Sequence, residues 1–251
     1  MRFFIELAYN GKYFFGWQIQ KKVNTVEEKL EYCLSKLLKT SINIVGAGRT
    51  DKGVHAKQMF AHFDSEKEIK NNFVDRLNIF LPKSIKVFNI FPVKNNLHAR
   101  FDAIKRTYKY YLTREKNPFY QDFSWYCFYS LNVHKMNIAS KKLMEYNDFS
   151  SFCKKRTDEK ENNICHIYHA SWSEKNNVLC FTIEANRFLR SMVRAIIGTL
   201  IDVGRNKISI DEFIKIIELK NSNFYKFIVP AHGLFLTQIL YPEDIFYEKK
   251  N

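Results

Sequence analysis

The sequence predicts an α+β fold built from two halves of similar content. Three observations carry this. Segments with apolar residues at every second position alternate with segments whose apolar residues recur at helical spacing. Hydrophobic residues make up 46% of 251 positions, enough for a substantial core. No Pro- or Ser-rich linker separates the halves, which predicts a continuous sheet or a close interface between them. The boundary is expected near residue 100, giving an N-terminal subdomain over 1–100 and a C-terminal one over 101–251.

RFFIELAY alternates, with Phe3, Ile5, Leu7 and Tyr9 on one face, and reads as a half-buried strand. The aromatic-rich NGKYFFGWQIQ follows as a loop. In TVEEKLEYCLSKLLK, Val26, Leu30, Cys33, Leu34 and Leu37 form a helical stripe, with Thr25 and Glu28 as its capping box. INIVGA and AKQMFAHFD read as strands on either side of a glycine-rich loop. Ile69, Phe73, Leu77 and Phe80 mark a second helix that Pro82 stops, and IKVFNIFPV is a strand again.

In the second half, KRTYKYYLT is a long strand and a further one is expected at SWYCFYS. A helix follows from Asn132. IYHASWS and NVLCFTIEA form a hairpin around residues 175–177. The stretch RFLRSMVRAIIGTLIDVG reads as a long helix from about Arg187, which would put Arg187, Arg190 and Arg194 on one face. Three cations on one face repel unless acids or phosphates answer them. Ser209 and Glu212 cap one more helix, and GLFLTQILY closes the chain's pattern as a strand. CKKRTDEKENN, at 153–163, is a highly charged loop whose cations suggest a clamp on an anionic partner.

Lys and Arg total 40 against 26 acids, a formal charge of +14. Such a balance favours a polyanionic partner, nucleic acid first and an anionic membrane surface second. The apolar runs are short and broken by Gly or Asp, so no spanning helix is expected. MRFFIELAYNG carries an acid and no cleavage-site pattern, so it reads as a strand and not a signal peptide. The five cysteines, odd in number and scattered, suit reduced thiols in the cytoplasm.

Two chemistries are disfavoured by spacing. CHIYH places Cys165 and His166 on opposite faces of a strand, and the sequence has no C-x-x-C, so no metal site is expected. GAGRTDKG lacks the G-x-x-x-x-G-K-[ST] and G-x-G-x-x-G spacings of phosphate loops. What stands out in VGAGRTDKGVHA is the acid among glycines and cations. Asp51 can simply accept hydrogen bonds within a turn. Alternatively, an ionised carboxylate can act as a nucleophile without a general base, and flanking glycines let a bulky substrate approach.

VGAGRTDKGVHA closely resembles the catalytic motif of the TruA-type tRNA pseudouridine synthases. YNGKYFFGWQIQ, LHARFDAIKRTYKYYL, DFSSFCK, NRFLRSMVRAIIGTLIDVG and AHGLFL are similar to further family segments, in family order across essentially the whole chain. Asn10, Lys52 and Thr107 depart from the usual residues, and Thr107 stands where a basic residue would contact the RNA backbone.

The resemblance implies an isomerase that converts uridine to pseudouridine at positions 38, 39 and 40 of the tRNA anticodon stem-loop. It implies the pseudouridine synthase fold, in which two similar subdomains share a mixed, mostly antiparallel sheet with flanking helices and a central catalytic cleft. Asp51 would be the nucleophile and Arg194 the basic residue that pairs with it. Tyr108 would stack on the target base, Leu234 would line the uracil pocket, and Arg49 would help extrude the nucleotide. Arg187, Arg190, Lys154 and Lys155 would contact RNA. The resemblance implies no cofactor or metal, a homodimer with tRNA crossing both subunits, and a cytoplasmic location. Two rivals remain: a catalytically silent RNA-binding protein, and the same isomerase acting on another RNA site.

Overall fold

The computed structural model describes residues 1–153, 163–221 and 227–245. Its described residues form nine strands and five α-helices, the expected α+β class. They divide into two compact units, Met1–Lys105 with the segment from Phe235 onward, and Arg106–Leu234.

The first unit is organised on β1 (Arg2–Tyr9), which pairs antiparallel with both β3 (His55–Asp64) and β4 (Ile85–Val93). Phe4, Ile5 and Leu7 are fully buried within this sheet. The short β2 (Ile44–Gly46) adds antiparallel to β3. On β3's other register, His55 and Ala56 pair in parallel with Phe235 and Leu236 of the closing strand β9 (Leu234–Leu240).

Helix α1 (Val26–Leu38) packs its apolar stripe inward through Val26, Leu30, Cys33, Leu34 and Leu38. Leu38, not the expected Leu37, completes the buried stripe. Thr25 caps the helix by accepting the Glu28 N–H, and Lys39 closes it in the left-handed region at φ 54°. Helix α2 (Phe73–Phe80) starts four residues later than its periodicity suggests. The Phe73 N–H is first used by a turn, donating to Lys70 O at 2.9 Å.

The second unit is organised on β8 (Val178–Ala185), which pairs antiparallel with β5 (Lys105–Thr113) and with β7 (Ile167–Lys175). The β7–β8 turn places Asn176 and Asn177 at φ 51° and 60°, the left-handed pair that a tight hairpin requires. Only Trp125–Tyr126 of the expected SWYCFYS strand forms β6, a short parallel pair with Leu112 and Thr113. Helix α3 (Val133–Lys142) is capped by Asn132, and α5 (Ile210–Glu218) by a complete Ser209–Glu212 capping box. All five cysteines are free thiols. CHIYH splits, with Cys165 buried and both histidines exposed.

Helix α4 (Met192–Gly204) departs most from expectation. It begins at Met192 because Ser191 is left-handed, at φ 59°, which no helix interior tolerates. Arg187 and Arg190 therefore precede the helix, and the three arginines do not share a helical face. No helix among the described residues is long and apolar enough to cross a membrane.

Candidate active-site residues

In the first unit, Asp51 lies half-buried in the loop that joins β2 to β3. Its neighbours are fixed from inside the unit. Thr50 is buried, and its hydroxyl shares a 2.8 Å hydrogen bond with the Tyr9 hydroxyl at the end of β1. Thr50 O accepts the Trp17 N–H at 3.2 Å. On the other side, Gly53 N–H donates to Phe14 O at 3.3 Å and Val54 N–H to Asp51 O at 3.1 Å. His55 is buried; its Nδ1 accepts the Gly11 N–H at 3.1 Å and its ring stacks on Phe235, 4.5 Å between centroids. The carboxylate's own residue is thus bracketed by two anchored ones, which is how a loop can hold a reactive group in place.

The segment NGKYFFGWQIQ supplies most of these anchors, which gives it a physical role. Asn10 accepts the Lys12 N–H at 3.1 Å, capping a single 3-10 turn at Gly11–Tyr13. Asn does here what the Asp usual in this motif would do, so the departure at position 10 leaves the cap intact. Trp17, 1% exposed, packs its ring against Gly46 and lies 6.2 Å from the Tyr9 ring. Buried Glu27 then receives the Gln18 side-chain amide and the Ile19 N–H, both at 2.7 Å. Burial raises the Glu27 pKa, opposed by the Ile19 hydrogen bond.

The cations beside Asp51 point to different tasks. Lys52 is exposed, with its ammonium 3.9 Å from the Phe15 ring centroid. Arg49 is exposed and near enough to Glu27 to favour that carboxylate's charged form.

In the second unit, Tyr108 sits half-buried on β5 with its ring edge-on to Phe188, 5.2 Å between centroids. Tyr110, two residues along the same face, is completely buried and donates to Pro230 O at 3.0 Å. Arg194, on the first turn of α4, is half-buried and donates from Nε to Val229 O at 2.8 Å. Burial raises the Tyr110 pKa well above its ordinary value, opposed by the Arg194 charge, and lowers that of His232, which the Arg194 charge reinforces. Leu234, 4% exposed, follows Gly233 at the start of β9. A Cβ at Gly233 would fall 2.8 Å from the Tyr110 ring and from Tyr111 O, so this approach to Leu234 needs glycine. Arg194, Tyr110, Pro230 and His232 therefore belong to one cluster around residues 229–234.

Thr107 is buried and donates its hydroxyl to Glu184 on the neighbouring strand at 3.1 Å. Arg187 is half-buried and Arg190 exposed, ahead of α4. Lys154 and Lys155, with most of the 153–163 loop, lie outside the described residues. Tyr9, Thr50, His55 and Glu27 were not singled out by sequence reasoning. Their only signal was position within or beside the two motifs that brace each other.

Comparison with known proteins adds a separate line. Residues 7–102 and 139–242 match the tRNA pseudouridine synthase family. The chain is 52% identical over 246 residues to the tRNA pseudouridine synthase A of Azobacteroides pseudotrichonymphae, covering 98% of each chain. It is 50% identical over 247 residues to the enzyme of that name from Parabacteroides distasonis, again with 98% of each covered. To that of Exiguobacterium sibiricum it is 35% identical over 244 residues, covering 97% of this chain and 98% of the other.

Proposed function

The chain belongs to the tRNA pseudouridine synthase family, and from that premise we propose that it isomerises uridine to pseudouridine at positions 38, 39 and 40 of the tRNA anticodon stem-loop, with Asp51 as nucleophile. The reaction breaks the N1–C1′ glycosidic bond and rejoins the base through C5; the C5 hydrogen leaves as a proton and N1 takes a proton up. Nothing is added to or removed from the nucleoside overall. Attack at C1′, attack at C6 and a glycal route each call on one carboxylate.

The observation that supports Asp51 most is its setting. It is a half-buried acid that follows Thr50, held by backbone and side chain, and precedes Gly53, held by its backbone N–H, all within one unit. A turn-stabilising Asp needs no such brace, whereas a nucleophile gains rate from being held in position. We assign Tyr108 to stacking on the target base and Leu234 to the uracil pocket. Arg194 is the basic partner of the reaction, and Arg49 assists extrusion of the nucleotide. Extrusion costs a few kcal/mol, which cationic and aromatic contacts must offset. Arg187, Arg190, Lys154 and Lys155 are assigned to the phosphate backbone. An excess of cations, 40 against 26 acids, fits affinity dominated by phosphate contacts. The proposal includes a cytoplasmic homodimer with tRNA crossing both subunits.

The test is to incubate the purified protein with unmodified tRNA transcripts and map pseudouridine by carbodiimide modification and primer extension, with Asp51→Ala in parallel. Signal at 38–40 that vanishes in the variant, with tRNA binding retained, is the expected result. Binding without modification by the wild type would mark a silent RNA binder. Modification elsewhere would keep the chemistry and overturn the target.

A further inference from the structure

The LHARFDA segment has a role in none of the chemistry above, yet the first unit spends an unusual set of contacts on it. Arg2 donates from Nη1 to Leu97 O at 2.7 Å while its other nitrogens hold Asp64. His98 N–H donates to the Asp102 carboxylate at 2.6 Å, and Asp102 N–H returns to His98 O at 3.1 Å. His98 Nδ1 accepts from both Arg100 N–H and Phe101 N–H, at 3.1 and 3.4 Å. Buried His62 accepts the Ala99 N–H at 3.1 Å, and the Tyr241 hydroxyl donates to Ala99 O. Both histidines must be neutral at Nδ1 to accept, and burial lowers both pKa values, His62 to about 4.

What this turn displays is not buried. Phe101 is 74% exposed, with one side of its ring against His98 at 4.3 Å and the Arg100 guanidinium 5.6 Å from its centroid. Arg100 is exposed beside it, and Lys94, Asn95 and Asn96, shortly before the turn in sequence, are exposed too. A backbone pinned at nearly every polar group removes the ordering cost that an exposed aromatic would otherwise pay on binding. An aromatic face beside a cation, in polar and basic surroundings, matches an unpaired base or ribose with its phosphate. The same surroundings are a poor match for apolar self-association.

We propose that the Arg100–Phe101 turn is a preformed RNA-contact site on the first unit, in which Phe101 stacks on an unpaired nucleotide of the tRNA and Arg100 holds its phosphate. This rests on tRNA being the substrate and adds a contact remote from the nucleophile's loop in sequence. The site recognises a nucleotide by its π-face and charge, so it contributes affinity more than sequence choice.

The test is tRNA binding by Phe101→Ala, Phe101→Leu and Arg100→Gln, measured across a salt series, with sedimentation and pseudouridine formation followed in each. Phe101→Ala is expected to raise Kd about thirtyfold, near the middle of what loss of one base stack costs. Phe101→Leu, which keeps apolar bulk but no π-face, should recover little of it. Arg100→Gln should flatten the slope of log Kd against log salt by about one contact's worth. Unchanged Kd and slope in all three, with wild-type protein modifying tRNA normally, would overturn this inference alone. Wild-type protein that neither binds nor modifies tRNA would remove it together with the function it rests on. Weakened binding that appears only with loss of the dimer would also overturn it, in favour of a contact between two copies of the chain.

Discussion

Gly16→Ala should disable catalysis while leaving a folded protein. Gly16 has φ 95°, a backbone state that side chains avoid, and a Cβ there would lie 2.4 Å from Thr50 O. Real Cβ contacts stay at or beyond 3.0 Å, so Thr50 O must retreat by about 0.6 Å at least. Thr50 O is the acceptor for Trp17 N–H, and Asp51 is the next residue, so the retreat moves the carboxylate. The backbone strain costs about 1–2 kcal/mol. Weakening the Trp17 hydrogen bond adds about 1 kcal/mol. The sum is well inside a typical stability of about 5–15 kcal/mol, so the variant folds. A misplacement approaching 1 Å costs about a hundredfold in rate. The assay is single-turnover release of tritium from uridine C5 in labelled tRNA, with tRNA affinity and thermal unfolding measured beside it. Gly48→Ala is the control, because a Cβ at Gly48 meets nothing within 4 Å. A Gly16→Ala enzyme with wild-type turnover would refute the claim that this contact fixes the nucleophile.

Tyr9→Phe keeps the ring against Trp17 but removes the hydrogen bond to Thr50, so stability should fall by about 1 kcal/mol and kcat more than KM; unchanged kcat would detach Tyr9 from the loop's placement. Arg194→Lys should not restore activity lost in Arg194→Gln, since an ammonium cannot hold Val229 O and present a second donor in the same fork; near-wild-type turnover by the Lys variant sinks this. For His62 the folded pKa is about 4 against an ordinary 6.5. Between those values the unfolded chain binds more protons, so stability falls as pH drops through the window, by roughly 3 kcal/mol in full. Urea unfolding at pH 7 and pH 4.5 should show a smaller loss in His62→Gln than in wild type, and equal losses would assign the acid sensitivity elsewhere.

Local rules carried far in this sequence where one segment decides its own fate. The strand over RFFIELAY, the Ser209–Glu212 capping box and the Asn176–Asn177 turn all form as their residues dictate, although Phe4 is buried on the face that alternation leaves to solvent. They fail where a neighbour decides. The apolar periodicity from Arg187 is continuous, but Ser191 turns left-handed and the helix waits until Met192. Thr107 stands where a basic residue is common, and only the pairing of β5 with β8 reveals that it meets Glu184. Asp51 was legible as a candidate because a carboxylate among glycines is chemically odd. Tyr9, Thr50 and His55 were not, because a tyrosine ending a strand and a histidine starting one have many ordinary uses.

The glycines make the same point about the loop itself. Glycines beside an acid suggest room for a substrate. At Gly46 that room is taken by the Trp17 ring, which a Cβ would approach to 2.5 Å, and at Gly11 it is taken by Val54 O. These glycines admit other parts of the chain, and they let NGKYFFGWQIQ press against the loop closely enough to hold it. Gly48 alone among those three faces open space. Two motifs that read as separate signals in the sequence are therefore one mechanical part. In the proposed mechanism the acid supplies the chemistry, and the aromatic segment at residues 10–20 supplies its position. Substitutions that loosen that brace should lower turnover before they lower affinity, since binding draws on many contacts and the reaction on one carboxylate.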